Sequence, residues 1–101
     1  MKSMILIPLA LAATAAQASS PAAWQASAAA GRAACLKAAD LASASASGPI
    51  IFSDTIGRDA YLVRGTYKQR FMKGAKGTML CLVDRRTHRA EAVEAKDWSA
   101  R

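Results

Sequence analysis

The sequence predicts an α+β domain: an N-terminal helix packed on a four-stranded antiparallel β-meander. Three observations carry this. An alanine-rich stretch follows Ser20-Pro21 and meets no further proline until Gly48-Pro49. Beyond Pro49 the composition turns to β-branched and aromatic residues in short alternating runs. The connections between those runs are short, which makes successive strands antiparallel neighbours.

Residues 1–18 read as a cleaved signal peptide that precedes the domain. Lys2 supplies a positive start, Ile5 to Ala16 is an apolar run, and Ala16-Gln17-Ala18 is a small-x-small cleavage pattern. The run is shorter than the ~20 residues a membrane span needs, although an uncleaved N-terminal anchor is a competing reading. Residues 19–101 are then one small exported domain, periplasmic or secreted, with no transmembrane segment expected in it.

The helix is expected over residues 21–46. Ser20 suits the N-cap and Pro21 the first helical position, and alanine is the best helix former. Trp24, Ala28, Gly31, Cys35, Ala38 and Ala42 recur at helical spacing as a narrow stripe of mostly small side chains. A low-complexity linker is the competing reading for Ala42 to Ser47. Ile50 to Ser53 is the first strand and Asp54 to Arg58 a turn. Ala60 to Tyr67 is the second strand, with Tyr61 and Val63 on one face and Leu62 and Arg64 on the other. Lys68 to Gly77 is a basic loop. Thr78 to Asp84, apolar on both faces, reads as an inner strand. Arg85 to His88 is a turn organised by Asp84, and Arg89 to Ala95 is a solvated edge strand.

Two cysteines occur in the chain. An even count in a small exported domain reads as one disulfide, Cys35–Cys81. The loop it closes holds about 46 residues, worth roughly 4 kcal/mol in the chain-entropy model. Such a bond places Met79 and Val83 on the helix side of the sheet. Leu62, Leu80 and Leu82 are then left on an apolar face without cover, where a homodimer or a protein partner is expected.

Ala33-Ala34-Cys35, Phe52-Ser53-Asp54, Tyr61-Leu62-Val63-Arg64-Gly65 and the run from Met79 to Thr87 resemble small exported proteins of Gram-negative bacteria to which no activity is attached. In those, a cysteine-bearing helix precedes a meander whose third strand carries the second cysteine. The resemblance implies the fold and an exported location. The helix-plus-sheet build is also similar to periplasmic inhibitor and sensor modules, a likeness of architecture alone.

The chain has 14 Lys and Arg against 7 Asp and Glu, a net charge of +7. Residues 48–101 carry eleven Lys and Arg and six Asp and Glu. A basic exported domain meets anionic envelope surfaces. The leading candidate site is the basic loop, where Lys68, Arg70, Lys73 and Lys76 surround Phe71 and Met72. The cations would draw the loop to an anionic surface and the Phe-Met pair would enter the apolar layer beneath. The alternative is that Phe71 and Met72 close the core while the cations keep the hairpin soluble. For Arg85 and Arg86 the expectation is a tight turn with solvated charges.

No enzyme constellation is visible. His88, the one histidine, has no nucleophile motif around it, and with two thiols it completes no metal site. No phosphate-binding loop pattern surrounds Gly74 and Gly77. No cofactor is expected. Tyr61, Tyr67 and Phe71 interleave with basic residues as on single-strand binders, but export sets nucleic acid aside. The expected function is non-enzymatic binding of an anionic envelope component through the basic hairpin. The alternative is a protein-binding accessory or inhibitor module using the apolar open face.

Overall fold

The computed structural model describes residues 20–99. The expected signal peptide lies outside the described residues. Helix α1 (Pro21–Ala39) precedes strands β1 (Ala42–Ile51), β2 (Arg58–Thr66), β3 (Lys76–Asp84) and β4 (Ala90–Glu94). The strands pair antiparallel in the order β1-β2-β3-β4. The helix lies on one face of this meander, as the sequence predicts.

The helix ends earlier than the expected residue 46. The backbone turns left-handed at Asp40, whose N–H donates to Leu36 O, a conformation aspartate tolerates better than most residues. The stretch expected as helix tail or linker is the edge strand β1, and Phe52 and Ser53 belong to the turn that follows it. From Ala42 to Ser47 the alanines are half-buried and the serines exposed, the period of two that a strand requires. Two register irregularities interrupt its pairing with β2. At the second, Gly48 has φ +130°, and a Cβ there would sit 2.8 Å from Ala60 O. Such irregularities twist an edge away from unwanted pairing.

Ser20 caps α1, its Oγ accepting from Ala23 N at 3.2 Å. The helix has little apolar surface with which to hold the sheet. Gly31, Cys35 and Ala39 are its buried residues. Ala38, placed on the stripe by sequence, is exposed, and Ala39 is buried in its stead. Docking is instead by specific bonds. Cys35 and Cys81 form the disulfide, with Cα atoms 5.8 Å apart. Tyr61 Oη donates to Ala28 O at 2.9 Å. Arg32 lies over the Tyr61 ring at 5.4 Å and donates to Ala46 O and Gly48 O of β1. The small side of Gly31 admits this closeness, because a Cβ there would meet Val83 Cγ1 at 3.2 Å.

Tyr61, Val63, Cys81 and Val83 form the buried side of the sheet together with Cys35, Ala39 and Leu41. By alternation Leu62, Leu80 and Leu82 face the other way. Leu82 is 43% exposed and Val93 of β4 50%. Leu62 differs from the expectation of an uncovered side chain. In an inner strand between Ser47 and Leu80 it retains only 8% exposure.

Candidate functional site

Successive turns of a meander alternate between the ends of the sheet, and this separates two clusters of charge. The β2–β3 hairpin lies at the end where α1 terminates. Its backbone is internally bonded: Tyr67 N donates to Ala75 O, Met72 N to Gln69 O, Lys73 N to Arg70 O, and Ala75 N to Met72 O. These bonds close a short 3-10 turn over Arg70–Met72. Lys73 and Gly74 then take left-handed φ values of 53° and 74° to reverse the chain.

The turn holds Phe71 outward. Phe71 is 78% exposed, the most exposed large apolar side chain among the described residues. Burial of Phe71 in the core, one of the two sequence alternatives, does not occur, and Met72 is half-buried. Arg70, Lys73 and Lys76 are exposed around Phe71. Lys68 stands apart from these three, because its Nζ pairs with Asp40 Oδ1 at 2.7 Å. Both groups are solvated, so this bridge contributes little stability but orients the hairpin against the helix C-terminus. Tyr67 Oη donates to Glu94 on β4, and that bond raises the phenol's pKa above its usual value.

The opposite end is built around Arg85. Its Nη1 meets Asp59 Oδ1 at 2.5 Å and Phe52 O at 3.0 Å, and its Nη2 meets Ser53 O and Asp54 Oδ1 at 3.2 Å. The guanidinium lies 5.8 Å from the Trp24 ring centroid. One side chain thus joins the start of α1, the β1–β2 turn and the β3–β4 turn. The solvated turn charge expected of Arg85 is incorrect: its side chain is 13% exposed and that of Asp59 7%. The phase explains this. Arg85 follows Cys81 and Val83 at intervals of two, which places it on the helix side. Arg86, out of phase, is exposed as expected.

Asp84 organises the second turn as the sequence suggests. Its Oδ1 accepts from Arg86 N at 2.8 Å and Thr87 N at 3.1 Å, which holds the carboxyl below its usual range. His88 is an exposed residue of this turn, with φ 59°. Tyr61, considered above as a base-stacking platform, is buried beneath the helix. Among the described residues no group of three His, Cys, Asp or Glu side chains is placed to hold a metal, and no helix is long and apolar enough to cross a membrane.

Sequence reasoning missed the exposed apolar residues at the Arg85 end of the sheet, of which Arg85 meets the Trp24 ring and the Phe52 carbonyl. Trp24, Ile51, Phe52 and Ile56 are all substantially exposed near this end. The run Ile50-Ile51-Phe52 was visible as a strand, but its exposure follows from β1 being an edge. Comparison with the models of known protein families, with curated proteins and with solved structures finds no match.

Proposed function

We propose that this chain is an exported, non-enzymatic binding domain whose β2–β3 hairpin engages an anionic envelope surface. The observation that carries the proposal is Phe71, exposed on a closed turn between Arg70, Lys73 and Lys76. An apolar side chain held in water at the tip of a basic turn is arranged for interfacial insertion. The disulfide fits an oxidising compartment, and the N-terminal leader fits export to one.

The magnitudes favour a weak, reversible contact. Each cation near an anionic leaflet contributes about 1 kcal/mol, so Arg70, Lys73 and Lys76 together supply about 3. Full burial of Phe71 would add about 2 kcal/mol. Lys68 adds less, since Asp40 already neutralises it.

Co-sedimentation with phosphatidylglycerol vesicles tests this reading. Arg70→Ala/Lys73→Ala/Lys76→Ala is expected to lower the partition coefficient on the order of 100-fold. Phe71→Ser should lower it on the order of 10-fold, and raising the salt should weaken the wild type but not abolish the Phe71 contribution. Equal sedimentation of the wild type and the triple variant would remove the hairpin from the account.

A further inference from the structure

The registers of β2, β3 and β4 set three rows of side chains across the open side of the sheet. The first is polar: Arg58 opposite Asp84, with Arg89, the residue just before β4, on the other side of Asp84, whose N–H donates to Arg89 O. The second is Ala60, Leu82 and Glu91. The third is wholly apolar: Leu62, Leu80 and Val93. At ~3.3 Å per residue the first and third rows lie about 13 Å apart. The surface therefore changes from guanidinium-rich to apolar along the strands. It is also concave, a hollow of about 470 Å³ whose lining includes Arg86 and Thr87. That is within the usual range for a small-molecule site.

The charges at the polar end are unequally engaged. Asp84 is occupied by Arg58 at 3.8 Å and by two turn amides. Among the described residues no carboxylate lies within 4 Å of the Arg86 or Arg89 guanidinium, although the charge of Arg86 helps to hold the Asp84 carboxyl below its usual range. Glu91 flanks the middle row and repels an anion placed there. An acid group is thereby directed to the polar end, where Arg58, Arg86 and Arg89 outnumber Asp84, and whatever is attached to it lies over Leu82, Leu80 and Val93.

We propose that this open face binds a single medium-chain amphiphilic acid, with its carboxylate between Arg86 and Arg89 and its apolar body along Leu82, Leu80 and Val93. Two guanidinium groups that form no close ion pair match one carboxylate. A hollow of about 470 Å³ has room for one such molecule. The site is independent of the hairpin, which lies at the other end of the sheet.

The test is calorimetric titration of the oxidised protein with decanoate below its aggregation concentration, with decanol in parallel. Amide chemical shifts of both complexes locate the ligand. Saturable one-to-one binding is expected, at least tenfold tighter for decanoate than for decanol, with shifts concentrated at Leu80, Leu82 and Val93. Arg86→Ala/Arg89→Ala should remove that preference, and Leu82→Asp should weaken both ligands. Both arginines and Leu82 are exposed, so circular dichroism is expected to show all variants folded. Equal affinity for acid and alcohol, no saturable binding, or shifts confined to the Phe71 hairpin or the Trp24 end would overturn the proposal. Sedimentation as a dimer with Leu82 and Val93 covered would assign the face to a second copy and overturn it equally.

Discussion

Cys35→Ala/Cys81→Ala is expected to destabilise the domain by about 4 kcal/mol, the chain-entropy value for a loop of this length. A domain of this size has roughly 4–12 kcal/mol in all, so the bond decides whether it stays folded. Its weight is increased by how little else holds α1. The helix buries only Gly31, Cys35 and Ala39, none of which carries a large hydrocarbon side chain. In thermal unfolding at matched pH, the variant's Tm should fall by roughly 15–30 °C. Hydrogen exchange should show α1 losing protection before β2 and β3, which are paired along their whole length. Uniform loss of protection across helix and sheet would show that the disulfide is not the principal anchor of α1.

Arg85→Ala is expected to cost about 3–5 kcal/mol, the range for breaking a buried pair by removing one partner. The asymmetry of the site makes this the more damaging half to remove. Without Arg85, the Asp59 carboxylate is left in a site where the residue is 5% exposed and no other partner reaches it among the described residues. Phe52 O and Ser53 O lose a donor, and Trp24 loses the cation against its ring. Asp59→Asn leaves Arg85 its carbonyl acceptors and Asp54, and is expected to cost less than half as much. The loss in Asp59→Asn/Arg85→Ala should fall short of the sum of the two single losses by more than about 1 kcal/mol, because the groups share one network. Urea denaturation of the four proteins measures this directly. Additive losses would show that Arg85 acts through the turn carbonyls and not through Asp59.

The central sheet was legible because β2 and β3 carry short apolar runs, Tyr61-Leu62-Val63 and Met79 to Val83, bounded by polar and glycine-containing turns, and the register then follows from short connections. β1 was not, for a physical reason. Ala42 to Ser47 alternates as a strand does, but its apolar partner is alanine, the weakest hydrophobe and the best helix former. Local propensity favours continuing the helix, and tertiary pairing with β2 overrides it. The αL residue at Asp40 ends the helix with no glycine to announce it. The hairpin's cations were legible as a cluster, whereas the outward pose of Phe71 depends on the 3-10 turn and could not be separated from core burial by composition. Arg85 is the instructive case. Its period-two phase with Cys81 and Val83 was present in the sequence, but a charged residue in an Arg-Arg turn reads as solvated until Asp59 is known to lie beside it.

The most direct test of the central claim places a reporter at the tip of the hairpin. Phe71→Trp adds an indole to the background of Trp24 and Trp98, and its emission is read against the wild-type protein. On phosphatidylglycerol vesicles the added emission should shift to the blue and be quenched by brominated acyl chains, and on phosphatidylcholine vesicles at the same salt it should do neither. A protein that sediments with the anionic vesicles while its added indole keeps water-like, unquenched emission would contradict the claim, because the surface would then be held by some part of the molecule other than this hairpin.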